Sequence, residues 1–593
     1  MSDQTQAFET LQDTSGCSPA LINDDLRPTR LEERTWSRWH IASLWVGMSV
    51  CIPTYMLASS MITGGLTWLE TIIIILLGNL IVAIPMTLNG HAGTQYGVPF
   101  PVLGRATFGV VGVHVPSLIR ALVACAWFGI QTWVGGLAIA SIFGVLLSDP
   151  GLSQNFTVQL SGFALFWLIQ MFFVWRGTES IKWLEAFAAP LLIIFGLFML
   201  GWGVNQGGGI SKVLSASRQF AQPTLSVSAT EGEVSAKLNL IRNREGEVRA
   251  KAWRGVVSNV SQEDAETALK KLKYQPLESA VASGEGALTF KLPETREGEN
   301  PLNLYLQLSV PGELDTKPTE SKIVSAPVPQ GSHSQGGGGA SRWITYLVWL
   351  TGMVAFWATL ALNISDITRY AASQRDQVVG QFLGLPTTMT LYSFIGVAVT
   401  CAAVVIFDQI LITQDAPWEP ATLINYFSDQ PMLILFAQAM ILIATLSTNI
   451  AANIISPANS FANLAPKQIS FRTGGLIAGA LGLFTMPWLL SNEIAGFLIA
   501  YGSVLGPVVA ILIADYYFIH GKRLKLKDLY LEEGAYSYQN GYHVAAFISL
   551  IIGVAVVFAS SAFKSFEIVY QTGWFSGFLI SFALYLLLAR KNA

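Results

Sequence analysis

Long apolar runs separated by short polar segments make up most of the chain. A helix needs about 20 apolar residues to cross a bilayer, and twelve runs come close to that length. They lie near residues 40–65, 69–89, 116–147, 158–175, 183–204, 343–364, 382–407, 431–456, 474–490, 493–519, 541–561 and 571–589. The first 39 residues are polar, so we expect no cleavable signal peptide. The pattern predicts an all-α polytopic membrane protein with twelve transmembrane helices.

Composition and charge agree with a membrane protein. Of 593 residues, 52% are hydrophobic and 12% are charged, a balance too apolar for a soluble enzyme of this length. Lys and Arg gather in the N-terminal tail, at 522–527 and at 590–591, whereas the connections 148–157 and 408–430 carry none. By the positive-inside rule both termini should be cytoplasmic. We expect an integral protein of the plasma (inner) membrane, with the lipid bilayer and no nucleic acid as partner.

A charged segment interrupts the apolar runs between the fifth and the sixth. Residues 212–342 hold 31 of the chain's 73 charged residues, and a Gly-rich tether ends the segment. Alternating apolar and polar residues predict strands at 224–241, 286–293 and 302–310. The stretch SQEDAETALKKL (261–272) predicts a helix capped by Ser261. We expect a small β-rich domain outside the cytoplasm. It is either an accessory module or a module that captures a ligand or docks an extracytoplasmic partner.

Two of the apolar runs carry residues that weaken a helix. The first run, SLWVGMSVCIPTYM (43–56), contains Gly47 and Pro53, and the sixth, LTGMVAFWATLALN (350–363), contains Gly352. Proline removes a hydrogen-bond donor and glycine lowers helix propensity. Interrupted helices at matching places in two halves of a transporter mark a substrate site near the bilayer midplane. The alternative is that each run simply kinks.

Aromatic and amide residues in the middle of the spans suit a flat heterocycle. Trp127 and Gln131 are four residues apart and therefore share a face of the third run, while Phe356 and Trp357 form an aromatic pair in the sixth. Indole rings can stack on a planar ligand, and amides can donate and accept along its edge. Asn453 offers a second amide from the eighth run. The alternative is that the tryptophans are packing residues or interfacial anchors.

The eighth run, ILIATLSTNIAANIISPAN (441–459), carries neutral polar residues without a charged partner. A hard cation such as sodium prefers oxygen ligands, and an unwound helix frees main-chain carbonyls. The candidate ligands are the Ser447 and Thr448 hydroxyls and the carbonyls of Gly47, Val50 and Ala444. The alternative is that the hydroxyls bond back onto their own helix.

Five longer motifs carry a family resemblance. LNGHAGTQYGVPFPVLGRATFG (88–109), WFGIQTW (127–133), FWATLALNISDITRYA (356–371), STNIAANIISPAN (447–459) and LGPVVAILIADYYFI (505–519) resemble nucleobase–cation symporter family 1. The resemblance implies the five-plus-five inverted repeat of the leucine-transporter fold with two additional C-terminal helices, and cation-coupled import of a small planar nitrogen heterocycle. The resemblance does not extend to the inserted segment 212–342.

Carried over by position, the resemblance implies ring contacts from Trp127, Gln131, Trp357 and Asn453. It implies sodium ligands at Gly47, Val50, Ala444, Ser447 and Thr448, although some relatives use protons. Cys51 stands where relatives have Gln or Asn, and a thiol is a weak hydrogen-bond partner. The substrate therefore stays open among uracil, other nucleobases and allantoin, and the context of Cys51 is closer to the plant and allantoin branches than to the hydantoin branch.

The predicted organisation has five parts: a cytoplasmic tail (1–39), a first repeat (40–204), an extracytoplasmic insertion (205–342), a second repeat (343–520), and a loop with two final helices (521–593).

The rival hypothesis is a receptor derived from a transporter, which senses a heterocycle and signals through the external domain. An enzyme is disfavoured because His91 and His114 have no paired carboxylate or metal-ligand spacing. The four scattered cysteines predict neither a disulfide framework nor a metal site. The only expected cofactor is the coupling ion, Na⁺ or H⁺.

Overall fold

Helices form almost all of the predicted membrane part of the chain. The computed structural model describes residues 8–11, 14–63, 66–176, 178–218, 342–406, 424, 430–492 and 494–590, together with strands between 224 and 327. The α-helices are α1 Arg38–Ser49, α2 Ile52–Thr63, α3 Trp68–Tyr96, α4 Phe100–Phe108, α5 His114–Leu146, α6 Phe156–Arg176, α7 Thr178–Gln206, α8 Ile210–Ser215, α9 Arg342–Asn363, α10 Ser365–Thr368, α11 Gln374–Ile406, α12 Pro431–Asn453, α13 Ile455–Leu464, α14 Phe471–Leu483, α15 Pro487–Asn492, α16 Ile494–Ala514, α17 Val544–Ser560, α18 Glu567–Gln571 and α19 Gly573–Ala589.

Among the residues that the structure describes, eight antiparallel strands lie between α8 and α9. They are β1 Thr224–Thr230, β2 Glu233–Asn239, β3 Glu247–Gly255, β4 Gln275–Pro276, β5 Ala280–Ser283, β6 Ala287–Leu292, β7 Asn303–Pro311 and β8 Pro318–Pro327. One sheet has the order β1-β2-β6; in the other, β4, β3, β7 and β8 are neighbours in that order and β5 also pairs with β3. The helix predicted at 261–272 lies outside the described residues, and the domain boundaries remain predictions.

The first span is broken where the sequence predicts it. Helices α1 and α2 bend by 61° across Val50 and Cys51. Pro53 has no N–H to donate to the Ser49 carbonyl, and the Cys51 N–H donates to that carbonyl instead, at 3.0 Å. In a continuous helix the Cys51 N–H would bond to Gly47. The break therefore frees the Gly47 carbonyl.

The predicted break in the sixth span is wrong. Helix α9 continues through Gly352 to Asn363. Glycine costs only about 1 kcal/mol relative to alanine and keeps its N–H donor, so the hydrogen-bond ladder survives. A Cβ at Gly352 would come no closer than 4.0 Å to a neighbouring atom, the Leu498 Cδ1. This glycine therefore neither interrupts the helix nor permits a close approach.

The number of spans differs from the predicted twelve. Within the described residues, seven helices are long and apolar enough to cross a bilayer, or nine if the bent pairs α1–α2 and α7–α8 each count as one span. Helices α17 and α19 are shorter apolar helices. The predicted ninth span, 474–490, divides into α14 and α15, because a turn with positive φ at Met486 separates them. Twelve spans remain a prediction.

The N-terminal segment crosses one end of the helix bundle. Arg369, beyond α10, donates from Nε to the Thr29 hydroxyl at 2.7 Å and from Nη1 to the Asp25 carbonyl at 3.1 Å. The Asp25 carboxylate in turn accepts from the Phe471 N–H at 2.9 Å, at the start of α14. The segment therefore ties the connection after α9 to the connection before α14.

A buried arginine on α4 joins three other parts of the chain at this end. Arg105 of α4 donates to the carbonyls of Leu529 and Leu21 at 2.8 Å each and to Asn463 Oδ1 at 2.6 Å. Its side chain is fully buried. Buried acceptors without donors are costly, so the guanidinium is needed to keep these three groups in place.

We expect Arg105→Met to lower the free energy of unfolding by about 2–4 kcal/mol, because three buried acceptors lose their donor. The measurement is the thermal unfolding midpoint of the purified chain in detergent. Lys467→Met, at an exposed position near the same end, is the control and should leave the midpoint unchanged. Equal midpoints for the two variants would contradict this role of Arg105.

Candidate functional site

A small cavity lies where the break in the first span meets α5, α9 and α12. All six residues predicted to contact a ring line it: Cys51, Trp127, Gln131, Phe356, Trp357 and Asn453. Its volume is about 30 Å³, which is room for about two water molecules. The structure therefore brings the predicted ring contacts together around a space that is too small for a ring in this conformation.

The aromatic side chains of the cavity contact one another edge to face. The Phe356 ring centroid lies 5.5 Å from that of Trp127 and 5.1 Å from that of Trp357. Trp45 of α1 packs against the other side of Trp357, at 5.3 Å. Because Phe356 contacts both predicted stacking residues, a planar ligand can separate the two tryptophans only if the Phe356 ring moves.

The two predicted amides are buried and line the cavity. Asn453 Nδ2 donates to Asn449 Oδ1 at 2.8 Å. Gln131 Oε1 is buried and has no hydrogen-bond partner among the described residues. The Cys51 thiol is paired with the Thr54 hydroxyl, 3.2 Å away in the first turn of α2. The amides, rather than the thiol, therefore provide the unused hydrogen-bonding capacity of the cavity.

The eighth-span hydroxyls meet the break in the first span. Thr448 Oγ1 donates to the Gly47 carbonyl at 3.2 Å, the carbonyl that the break frees. The Ser447 and Thr445 hydroxyls are buried and have no partner among the described residues. None of the three bonds back onto its own helix, in contrast to the simpler interpretation of this polar run.

The other two predicted cation ligands lie in the same region. Val50 and Ala444 belong to one buried cluster, which also contains Leu192 of α7 and Met440 of α12. Among the described residues there is no group of three His, Cys, Asp or Glu side chains that could hold a metal. The five predicted ligands offer neutral carbonyl and hydroxyl oxygens, which suit a hard ion of low charge.

A larger cavity, which we call the vestibule, adjoins the small one. Its volume is about 920 Å³, and it shares Met48, Leu360 and Ala452 with the small cavity. Asp25 and Thr29 of the N-terminal segment line its outer part. In this conformation the predicted ring site is thus reached from the end of the bundle that the N-terminal segment crosses.

Two charged residues near the vestibule were not predicted as site residues. Arg120 of α5 donates from Nε to Asn363 Oδ1 at 2.8 Å and to the Thr359 carbonyl at 3.0 Å. Asn363 Nδ2 donates to Asp366 Oδ2 at 3.2 Å, and Asp366 Oδ1 accepts from the Phe100 N–H at 2.9 Å. Burial raises the pKa of the Asp366 carboxyl to about 6, although these two hydrogen bonds and the nearby arginines oppose the rise.

Sequence reasoning also missed two amide residues behind the cavity: Asn449 accepts from Asn453, and Gln170 accepts from Asn449. Asn449 lies four residues before Asn453 and so shares its helix face, and Gln170 is a polar residue inside the apolar fourth run. Polar groups within spans are expensive and usually functional. That signal could have identified Gln170 and Arg120, whereas the contact of Trp45 with Trp357 needs tertiary structure to be seen.

Comparison with known proteins supports the family resemblance. The family model described as permease for cytosine/purines, uracil, thiamine and allantoin matches residues 28–235 and 324–584. The purine-uracil permease NCS1 of Arabidopsis thaliana is 31% identical over 600 residues, which cover 98% of this chain and 79% of the relative. The allantoin permease of Bacillus subtilis is 31% identical over 597 residues, which cover 98% of this chain and 96% of the relative. The family match is interrupted across most of the charged insertion.

Solved structures share the fold. Mhp1, a nucleobase-cation-symport-1 family transporter solved in a closed conformation with bromovinylhydantoin bound, matches with a TM-score of 0.63 at 21% identity, covering 96% of this chain and 95% of its own. A Na⁺-coupled sialic acid symporter matches with a TM-score of 0.55 at 11% identity, and the match covers 97% of this chain and 93% of the symporter chain. At these identities the likeness concerns the helical fold.

The family match covers well over half of the chain, and the family consists of permeases, so the chain is an integral membrane transporter and not an enzyme. It belongs to the permease family for cytosine/purines, uracil, thiamine and allantoin.

Proposed function

We propose that the chain is a cation-coupled symporter that imports a small planar nitrogen heterocycle, such as uracil, another nucleobase or allantoin, by alternating access. The observation that carries the proposal is the position of Thr448. Its side chain lines the ring cavity and also donates to the Gly47 carbonyl at the break in the first span. One residue therefore belongs to both candidate sites. The names of the relatives, a purine-uracil permease and an allantoin permease, support the class of substrate.

In this proposal Trp127 and Trp357 stack on the faces of the ring, Phe356 moves aside to admit it, and Gln131 and Asn453 bind its edge. Cys51 contributes only a weak contact. The proposed cation ligands are Gly47, Val50, Ala444, Ser447 and Thr448, with Na⁺ as the ion. The Na⁺-coupled symporter among the structural neighbours supports this choice.

Coupling follows from the shared break. A cation bound between α1 and α12 would hold the Gly47 carbonyl and the Thr448 hydroxyl in one geometry, and so would fix the wall against which the ring packs. Each ligand then raises the affinity of the other by the same factor, typically worth about 1–3 kcal/mol. Alternating access would close the vestibule and open the opposite side around the fixed site.

The wider architecture belongs to the same proposal. It has two five-helix inverted repeats, two final helices, twelve spans in total and cytoplasmic termini, in the plasma membrane. The charged insertion is an extracytoplasmic accessory module.

The rival hypothesis of a receptor predicts ligand binding without transport. Uptake of radiolabelled uracil or allantoin into proteoliposomes, with and without a sodium gradient, separates the two, because only a symporter accumulates substrate.

We expect Trp127→Ala to abolish uptake while leaving membrane insertion intact. Loss of a stacking ring should weaken binding by about 1–3 kcal/mol, by analogy with bases stacked on aromatic side chains. The measurements are proteoliposome uptake and the thermal shift caused by uracil or allantoin. Trp343→Ala removes a tryptophan that is 74% exposed and is the matched control. Wild-type uptake in Trp127→Ala would refute the ring site.

We expect Thr448→Val to raise the sodium concentration for half-maximal uptake about tenfold, because a charged ligand loses a hydroxyl partner worth about 1.4 kcal/mol. Thr445→Val removes a buried hydroxyl three residues away and is the control. A sodium titration that is unchanged in Thr448→Val would exclude the proposed set of cation ligands.

The alternative coupling ion is a proton, and Asp366 is the residue that tests it, because burial raises the pKa of its carboxyl to about 6. If uptake depends on pH instead of sodium, and if Asp366→Asn removes that pH dependence, the coupling ion is a proton.

A further inference from the structure

A chain of buried hydrogen bonds runs from the Phe128 carbonyl to the Asn453 side chain. Asn449 Nδ2 donates to the Phe128 carbonyl at 3.0 Å and to Gln170 Oε1 at 2.7 Å. The Thr132 hydroxyl donates to the same carbonyl at 2.6 Å and accepts from Gln170 Nε2 at 2.9 Å. Thr132, Gln170 and Asn449 are all fully buried. The network joins α5, α6 and α12 behind the ring cavity.

The Phe128 carbonyl, where this series of hydrogen bonds begins, fixes the orientation of the Asn449, Gln170 and Asn453 amides. A carbonyl only accepts, so Asn449 must turn its Nδ2 toward Phe128. Gln170 then must offer Oε1 to Asn449 and Nε2 to Thr132, whose proton is committed to the carbonyl. Asn449 is left with Oδ1 facing Asn453, which therefore donates its Nδ2 there at 2.8 Å. The free oxygen of Asn453 points away from Asn449.

Asn453 and Gln131 both line the cavity. With its Nδ2 committed to Asn449, Asn453 has its oxygen left for a ligand, and Gln131 Oε1 has no partner among the described residues. Burying an acceptor without a donor costs free energy, so a bound ring that supplies two N–H groups is favoured. A cyclic ureide, in which one carbonyl is flanked by two N–H groups, supplies them. Cytosine has the same ring as uracil, but one of those N–H groups is replaced by a bare nitrogen.

We propose that Asn449 and Gln170, outside the cavity, are positioning residues that present Asn453 as a hydrogen-bond acceptor and so select cyclic ureides, such as uracil and the hydantoin ring of allantoin, over cytosine. This inference rests on the proposed function, because it concerns the same ring site. Asn449 acts through Asn453: with its carboxamide in place, the Asn453 amide cannot turn its NH₂ group toward the ring. Gln170 acts one step further away by holding Asn449.

The test is the ratio of the dissociation constants of cytosine and uracil, measured on the purified full-length chain. In the wild type we expect uracil to bind about 10- to 100-fold more tightly, since one unpaired acceptor is at stake. In Asn449→Leu the Asn453 amide is free to rotate and can meet either ring, so the ratio should fall about tenfold. Wild-type binding that favours cytosine, or an unchanged ratio in Asn449→Leu, would overturn the inference.

Two further variants separate positioning from general stability. Asn449→Asp keeps an oxygen that can accept from Asn453 Nδ2, although its carboxyl has at most one proton where Asn449 Nδ2 donates both to Phe128 and to Gln170. It should therefore keep the ratio even if the chain becomes less stable. Gln438→Leu removes another buried amide that joins α12 to α5, through Ser141, and should also keep it. Loss of the ratio in either variant would contradict the role of Asn449.

If Asn449→Leu does not fold, Gln170→Leu takes its place. Gln170→Leu should lower the ratio of the cytosine and uracil dissociation constants only about threefold, because the Phe128 carbonyl still orients Asn449. A ratio equal to that of the wild type would overturn the role of Gln170. Failure of the proposed function looks different. A chain that binds neither uracil, cytosine nor allantoin refutes the ring site itself, whereas equal binding of uracil and cytosine that is lost in Trp127→Ala refutes only the selection.

Discussion

The hydrogen bond from Thr448 to the Gly47 carbonyl is the contact on which the site depends. It exists because Pro53 cannot continue the hydrogen-bond ladder of the first span and because the Cys51 N–H is then used by Ser49. A freed carbonyl at this depth needs a partner, since lipid tails offer it no donor. The eighth span provides it, and in doing so it places α12 against the broken helix.

This contact links two environments that require different chemistry. On one side lie neutral oxygens, including the unpartnered Ser447 hydroxyl, and on the other lie indole rings and amides. The Asn453 amide is oriented by a network that begins at the Phe128 carbonyl, so the group that it has left for a ligand is a property of the fold rather than of the side chain alone. In this conformation Phe356 fills the space between the two tryptophans. Ring entry and helix rearrangement should therefore be coupled.

Local chemistry explains what the sequence could predict and what it could not. Pro53 and Gly47 predicted the first break because proline changes the backbone wherever it stands. The break predicted at Gly352 was wrong, because glycine only lowers helix propensity and α9 stays helical through this residue. The hydroxyls of Ser447 and Thr448 were recognisable as costly neutral groups in an apolar run. The roles of Asn449, Gln170 and Arg120 depend on which spans are neighbours, and no short motif carries that information. The twelve-span count and the function of the charged insertion also depend on more than local pattern.

The central claim is that cation and ring occupy adjoining sites that share the break in the first span. Its most direct test is the dissociation constant of uracil or allantoin for the purified wild-type chain, measured by calorimetry without sodium and at saturating sodium. The account predicts an affinity increase of about 5- to 150-fold with sodium, and the same factor for sodium when the heterocycle is bound. An affinity that is independent of sodium at every pH tested would contradict it.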